Sequence, residues 1–175
     1  ILFNASLSAL QLENAAKAME LLNQRLALAP TVLDASARAA THVHLAAAAL
    51  IVDDDDEALR QAKRAWPLVE EGADHQGRSV VLNLMGRCEQ RAGRLDQAIA
   101  WYEQGLDEAK TSGDVTRLAE SLSYRAVAHA ARGDKSIAVQ FAEQAQQLYL
   151  LAGSKEARRR FDLDLSAPKE RKQGA

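Results

Sequence analysis

Residues 82–106 read LNLMGRCEQRAGRLDQAIAWYEQGL, and this stretch decides the fold. Its first half places apolar and small side chains at steps of three and four residues, from Leu82 through Met85, as an amphipathic helix does. Gly93 then supplies a turn. The second half returns to helical spacing and carries Tyr102 on its apolar face. The stretch therefore predicts two antiparallel helices joined by a short turn, a helical hairpin.

The hairpin recurs along the chain with a period of 40 residues. Residue types that cap helix N-termini, by accepting hydrogen bonds from free backbone N–H groups, recur at that spacing. Small residues recur in the same register and mark places where two helices approach closely. The capping positions are Asp34, Asp74, Asp114 and Ser154, and the small residues are Ser6, Ala46, Gly86 and Ala126, then Ala18, Ala58, Ala98 and Ala138. These in-register copies predict a helical repeat protein.

Composition favours the same all-α class. The 175 residues include 35 alanines, whereas aromatic residues make up only 5%. Alanine has the highest helix propensity and strands prefer β-branched and aromatic residues, so a β-sandwich or barrel is excluded. The single cysteine, Cys88, rules out an intrachain disulfide framework and favours a cytoplasmic location. The longest apolar run, 45–52, is too short to span a bilayer.

The third copy resembles a tetratricopeptide repeat. The residues that carry the resemblance are Leu84, Met85, Gly86, Gly93, Ala98, Tyr102 and Leu106. Repeats of that family usually have about 34 residues, so the extra residues here lengthen the helices or the links, as in a 40-residue variety that resembles bacterial regulators. The resemblance implies a right-handed α-solenoid of about four helical hairpins with a C-terminal capping helix.

The predicted repeat domain covers residues 1–166. Its repeats are expected at 1–33, 34–73, 74–113 and 114–153, followed by a capping helix at 154–166 and a disordered tail at 167–175. The helices are expected at 2–11, 15–28, 35–51, 55–71, 75–92, 95–111, 115–132, 135–151 and 155–165. Pro67 lacks a backbone donor, so we expect the fourth helix to kink or end near Trp66. Because the sequence starts inside a helix, at apolar Ile1 to Phe3, we expect the natural protein to extend upstream.

Histidine and cysteine side chains in this sequence have structural explanations. His42 and His44 point about 200° apart on a helix and cannot share a metal ion. We expect His129 to be a partly buried, hydrogen-bonded ring between two helices, and His75 to be exposed. Cys88 is expected to be an inert core thiol.

The acidic run at 53–57, DDDDE, has a structural explanation as well. It falls at a predicted turn and helix start, where negative charge favours the helix dipole. It lacks the alternating ligands and the central glycine of a calcium loop. We therefore expect no metal site, no cofactor and no catalytic residue.

The resemblance also implies a ligand-binding groove, because the first helix of each hairpin lines the concave side of such a superhelix. The third repeat places amide and guanidinium groups there, which suit peptide backbone and carboxylates. The second repeat offers an apolar stretch and the fourth a mixed one. The candidate peptide-binding residues are Val43, Ala47 and Leu50, then Asn83, Arg87, Gln90 and Arg91, and finally Glu120, Ser123 and Val127.

Two functions stay open at this point. The first is a non-catalytic module that holds a peptide or protein segment in the groove, which the resemblance implies would be the regulatory or sensor part of a larger bacterial signalling or transcription-regulating protein. The second is self-association into a homo-oligomer through the N-terminal helix, because Ile1 to Phe3 with Leu7 and Leu10 would leave an apolar face uncovered.

Other classes of partner and activity are not expected. No pair of titratable residues is placed to work together, which argues against an enzyme. The net charge of −2 gives no general attraction to nucleic acid. Three consecutive arginines at 158–160 could contact a phosphate backbone, but no helix-turn-helix or interleaved aromatic residues accompany them, and a polar capping face is the simpler explanation. No membrane partner is expected.

Overall fold

The computed structural model describes residues 15–28, 33–70 and 74–153. These ranges contain seven helices and no strands. The helices are α1 (Ala15–Ala27), α2 (Ala35–Ile51), α3 (Asp55–Glu70), α4 (His75–Arg91), α5 (Leu95–Ser112), α6 (Val115–Arg132) and α7 (Lys135–Leu151). Apart from the early end expected near Trp66, every helix end lies within one residue of its predicted position. The predicted helices at 2–11 and 155–165, the capping helix at 154–166 and the tail at 167–175 lie outside the described residues.

The helices stack as an all-α solenoid. We number the hairpins by sequence repeat, so that hairpin 2 is α2–α3, hairpin 3 is α4–α5 and hairpin 4 is α6–α7. The two helices of each hairpin pack together, and the first helices of successive hairpins also touch, α2 with α4 and α4 with α6. The second helices α3, α5 and α7 have no comparable contacts with one another. Helices α2, α4 and α6 therefore form the inner, concave side.

Caps at the ends of the helices fix the register. Asp34, Asp74 and Asp114 accept hydrogen bonds from backbone N–H groups in the first turns of α2, α4 and α6, as the sequence predicts. Gly113 and Gly133 end α5 and α6 with φ angles of 71° and 99°. Glycine adopts such angles at low cost because it has no Cβ. The chain can therefore reverse direction within two or three residues.

Among the described residues, the chemistry of the buried interior changes along the stack. The part between hairpins 2 and 3, called here the aliphatic core, consists of Ala39, Ala46, Ala49, Leu50, Ala58, Ala62, Ala65, Val69, Val81, Leu84, Met85 and Cys88. Trp66 and Trp101 pack against it. The part around α5, α6 and α7 contains tyrosines, among them the fully buried Tyr102.

A close helix contact in hairpin 3 confirms one predicted small-residue position. A Cβ atom on Gly86 would lie 2.5 Å from Cε1 of Tyr102, far inside contact distance. Glycine at this position therefore lets the aromatic ring of α5 lie directly on the backbone of α4.

The prediction that the helix ends early, near Trp66, because of Pro67 is wrong. Helix α3 continues past the proline to Glu70. Pro67 lies in the last turn, and the carbonyl it leaves without a helical donor belongs to Lys63, which is exposed to water. The missing hydrogen bond is therefore tolerated.

Candidate peptide-binding surface

The candidate site is the concave side formed by α2, α4 and α6, and all the predicted groove residues lie on these helices. Their exposure differs. Val43, Ala47, Arg87, Gln90, Glu120, Ser123 and Val127 are half-buried, Arg91 is exposed, and Leu50 and Asn83 are buried. The structure thus separates them into side chains that can reach a ligand and side chains that hold the scaffold together.

Arg87 lies at the middle of the surface and is held by an aromatic ring. Its guanidinium carbon is 5.6 Å from the ring centroid of Tyr124 on α6. Tyr124 in turn stacks on Tyr102, with centroids 5.6 Å apart and an interplanar angle of 16°. No carboxylate of the described residues forms an ion pair with Arg87. The ring orients a guanidinium whose charge the described chain leaves unpaired.

Arg91, one helical turn further along α4, has a different role. Its Nη2 lies 2.5 Å from Oδ1 of Asp53, and its Nε also bonds Asp55. These carboxylates, Asp53 foremost, raise the pKa of Arg91. Arg91 therefore ties the end of α4 to the turn of hairpin 2. Its charge is already neutralised, unlike that of Arg87.

Asn83 also serves the scaffold in this structure. Its Nδ2 donates a 2.8 Å hydrogen bond to Oγ of Ser121, which links α4 to α6. Its Oδ1 is buried without a hydrogen-bond partner among the described residues. That oxygen lies beside Gly105, where a Cβ atom would approach it to 2.6 Å. The amide thus occupies the joint between hairpins 3 and 4.

Two further predicted residues on the inner helices have partners within the repeat stack. Gln90 accepts a 2.9 Å hydrogen bond from the hydroxyl of Tyr102, whose pKa burial raises well above its usual value. Leu50 belongs to the aliphatic core. Gln90 and Leu50 therefore make their contacts inside the repeat stack, beneath the concave surface.

The two ends of the concave side differ in polarity. Hairpin 2 contributes Val43 and Ala47, and beyond them Ile51 exposes 52% of its surface. Hairpin 4 contributes Glu120, which pairs with Arg117 at 2.7 Å. The concave surface is therefore apolar at hairpin 2, positively charged at Arg87 and of mixed polarity at hairpin 4.

Hairpin 4 also supplies Ser123, whose hydroxyl donates a 2.8 Å hydrogen bond to the carbonyl of Ala119, and half-buried Val127. Tyr124 lies between them and was not among the predicted groove residues. The sequence does contain a signal for Tyr124, because aromatic residues are rare in this chain and Tyr124 falls on the first helix of its hairpin. In the structure its ring faces the preceding hairpin.

Three of the four histidines fit the structural roles expected of them. His129 is buried with Nδ1 3.1 Å from Oδ2 of Asp134, which confirms a hydrogen-bonded ring. His42 contacts Oε1 of Gln61 at 2.6 Å. Burial lowers the pKa of His42 and of His44. Both rings therefore favour the neutral form at neutral pH.

The expectation that His75 is exposed is wrong. Its Nδ1 lies 2.7 Å from Oε2 of Glu108, and the side chain is only 35% exposed. Arg78 contacts the same carboxylate at 3.0 Å. The carboxylate of Glu108 on α5 draws the side chains of His75 and Arg78 inward. The spacing of residues along α4 does not predict this contact.

Cys88 and the acidic run lie where the sequence places them. Cys88 is buried, and desolvation raises the pKa of its thiol to about 11. The run at 53–57 forms a turn, with Asp53 at a φ of 60°, and then the start of α3. Within 15–28, 33–70 and 74–153, no three His, Cys, Asp or Glu side chains are grouped as metal ligands. None of the helices in those ranges is both long and apolar enough to cross a membrane.

Similarity to known proteins agrees with this fold. The family described as Tetratricopeptide repeat matches residues 37–111. Aspartyl phosphate phosphatase F from Bacillus subtilis superimposes with a TM-score of 0.81 at 17% identity, over 97% of this chain and 45% of that chain. A kinesin light chain with nearly identical TPR-like repeats from Podosopora anserina gives 0.69 at 20% identity, over 94% and 82%.

The Rap conjugation gene regulator of the plasmid pLS20, solved in complex with the Phr* peptide, gives a TM-score of 0.75 at 17% identity, over 94% of this chain and 51% of that one. The chain thus spans about half the length of this regulator and of the phosphatase. No curated protein matches the sequence. Residues 37–111 thus match the tetratricopeptide-repeat family, and the described helices on either side of them continue the same all-α solenoid fold.

Proposed function

We propose that this domain is a non-catalytic module that binds a peptide or protein segment along its concave side. The observation that carries the proposal is the unpaired, half-buried guanidinium of Arg87, held on the ring of Tyr124. A guanidinium oriented in this way can donate two parallel hydrogen bonds to a carboxylate.

The rest of the surface defines the ligand that fits. Apolar Val43, Ala47 and Ile51 lie on the hairpin 2 side of Arg87, so an extended segment would place apolar side chains there and an acidic one at Arg87. The solved Rap regulator with its Phr* peptide supports the idea that this fold accommodates a peptide. By the same analogy we propose that the domain is the regulatory or sensor part of a larger bacterial signalling protein.

The test is a selection of random linear peptides displayed on phage, followed by calorimetry with the enriched peptides. We expect enrichment of sequences that pair apolar residues with Asp or Glu. Arg87→Ala should weaken their binding about tenfold or more, because a hydrogen bond to a charged group contributes roughly 1.5–3 kcal/mol. Arg64→Ala is the matched control, since Arg64 is exposed on the outer helix α3.

Two outcomes contradict the proposal. One is that no peptide is enriched above the background of an unrelated helical protein. The other is that Arg87→Ala and Arg64→Ala bind the selected peptides equally well. Thermal melting of both variants separates a loss of binding from a loss of folding.

Self-association through the N-terminal helix stays a prediction, because that helix lies outside the described residues. Sedimentation velocity across a hundredfold range of protein concentration tests it. A strict monomer throughout the range would remove it.

A further inference from the structure

Two arginines lie one helical turn apart on the concave side of α4, and they differ in their partners. Arg87 forms no ion pair with a described residue, whereas Arg91 is held by Asp53 and Asp55 from the turn of hairpin 2. We propose that these two aspartates are a built-in competitor for Arg91, so that the concave side accepts a segment with a single acidic residue, at Arg87, and disfavours one with two. The inference rests on the proposed binding of a segment at Arg87.

Without its partners, Arg91 would extend the cationic site by one step. Residues four apart on a helix have Cβ atoms about 5–6 Å apart. In an extended peptide, side chains two residues apart point to the same side and are separated by roughly 6.5–7 Å. A ligand with one acidic side chain at Arg87 can therefore bring a second one, two residues away, to Arg91. The two guanidinium groups match the spacing Asp-x-Asp or Glu-x-Glu.

The contacts of Arg91 engage the donors that a second ligand carboxylate would need. Its Nη2 donates a 2.5 Å hydrogen bond to Oδ1 of Asp53, and its Nε donates to Oδ1 of Asp55. The single charge of the guanidinium is thus already balanced by carboxylates of the same chain. Because these groups are attached to the molecule, their effective concentration at Arg91 does not fall with dilution. A second ligand carboxylate must displace partners that are always present.

The backbone of Asp53 provides a second observation in favour of this role. Its φ angle is 60°, and the residues 40 and 80 positions later, Gly93 and Gly133, also have positive φ angles. Glycine adopts this conformation without a Cβ clash, whereas other L-residues are strained there, Asn and Asp least. Hairpin 2 therefore carries a carboxylate where hairpins 3 and 4 have glycine, and that carboxylate contacts Arg91.

The charge around Arg91 also disfavours a second acidic group. The turn contributes four consecutive aspartates, 53–56, and Asp53 exposes 81% of its side chain. The residues that correspond to Arg91 in the 40-residue register are Ile51 on α2 and Ala131 on α6, which carry no charge. A ligand carboxylate that approaches this end of α4 thus meets a net negative field, whereas at Arg87 it meets an unpaired cation.

The first test repeats the peptide selection in parallel on the full wild-type chain and on the variant Asp53→Asn with Asp55→Asn. Asparagine keeps the size of aspartate and tolerates a positive φ. The wild type should enrich peptides with an isolated acidic residue, and the variant should enrich peptides with two acidic residues separated by one. By calorimetry, the variant should bind the doubly acidic peptides about two- to fivefold more tightly than the wild type, the range expected for exposed ion pairs.

Two further variants locate the effect. Asp56→Asn with Asp107→Asn removes the same net charge but leaves both ion pairs of Arg91 in place, so it should keep the wild-type preference. Adding Arg91→Gln to the variant Asp53→Asn with Asp55→Asn should abolish the tighter binding of doubly acidic peptides, because that gain requires the released guanidinium.

The second test measures the state of Arg91 without any peptide. Dicarbonyl reagents such as phenylglyoxal add to the uncharged form of a guanidine group, and the contacts with Asp53 and Asp55 raise the pKa of Arg91. Labelling followed by peptide mass spectrometry should therefore find Arg91 reacting several-fold faster in Asp53→Asn with Asp55→Asn than in the wild type. The charge-matched control, Asp56→Asn with Asp107→Asn, should react at the wild-type rate.

Failure of the proposed function and failure of this inference give different results. If neither protein enriches any peptide, the proposed function and this inference are overturned together. If both proteins enrich the same peptides, if the gain survives Arg91→Gln, or if the labelling rate of Arg91 stays unchanged, only this inference is overturned. A lower melting temperature of the variant Asp53→Asn with Asp55→Asn, combined with the wild-type peptide preference, would mean that its two ion pairs serve stacking alone.

Discussion

The two joints made by helix α4 differ in chemistry. Toward hairpin 2, α4 contributes Leu84 and Met85 to the aliphatic core, which is otherwise mostly alanine. Toward hairpin 4 it contributes Asn83, bonded to Ser121, while the ring of Tyr102 on its partner helix stacks on Tyr124.

Both joints keep the same 40-residue register, so stacking does not require one kind of contact. Apolar burial is non-directional and depends on area, whereas hydrogen bonds and stacked rings require defined geometry. We therefore expect substitutions at the aliphatic joint to cost more stability, and those at the polar joint to show stronger pairwise coupling.

The largest effect is expected from Leu84→Ala in the aliphatic core. Leu84 is 5% exposed, and truncating a buried leucine usually costs about 2–5 kcal/mol through lost burial and a residual cavity. Leu151→Ala is the matched control, because Leu151 is 78% exposed. Urea denaturation of the two variants measures the difference. Similar midpoints would mean that the aliphatic joint is not the main source of stability.

Gly86→Ala is expected to destabilise the protein by about 1–3 kcal/mol, the usual cost of overpacking. In an open helix the same change would stabilise by up to about 1 kcal/mol through helix propensity. Here the new methyl group would collide with the ring of Tyr102. In a Tyr102→Leu background the cost of Gly86→Ala should largely disappear. A higher melting temperature for Gly86→Ala alone would refute the close contact.

A double-mutant cycle on Asn83 and Ser121 tests the directional joint. Their hydrogen bond is buried, so Asn83→Ala and Ser121→Ala should be coupled by about 1 kcal/mol in the free energy of unfolding. The matched cycle combines Leu84→Ala with Ser121→Ala, whose side chains belong to different joints. That cycle should be additive, and equal coupling in both would remove the distinction between the two joints.

The smallest expected effect is a pH dependence that originates in hairpin 2. Burial lowers the pKa values of His42 and His44 below their usual 6.5. The unfolded chain then binds protons more readily than the folded one. The stabilising effect of the neutral rings is complete above pH 6.5 and is lost as the pH falls through the lower pKa values of the folded state.

Melting temperatures recorded between pH 8 and pH 5 measure this effect. The double variant His42→Gln with His44→Gln should show a flatter profile than the wild type. Parallel profiles would place the acid sensitivity elsewhere in the chain.

The sequence predicts helix ends well because caps and turn glycines are local signals. Asp34, Asp74 and Asp114 cap their helices where the period placed them. Periodicity also indicates which residues share a helix face, so the groove candidates fall on the inner helices.

What the period does not reveal is the neighbour that a long side chain reaches. Arg87 and Arg91 share a helix and look alike in sequence. Yet Arg91 reaches back to Asp53 and Asp55, whereas Arg87 lies over Tyr124. The ion pair of His75 with Glu108 is hidden for the same reason, because its partner lies on another helix. Such contacts depend on how helices distant in sequence pack against each other, which no local pattern records.

The placement of Trp66 and Trp101 has a consequence for spectroscopy. The chain has two tryptophans, and both pack on the aliphatic core. Intrinsic emission therefore reports on the joint between hairpins 2 and 3, while circular dichroism averages over every helix. A molecule whose hairpin 4 has opened would still emit as if folded. Divergence between the two signals during denaturation would identify the end of the stack that opens first.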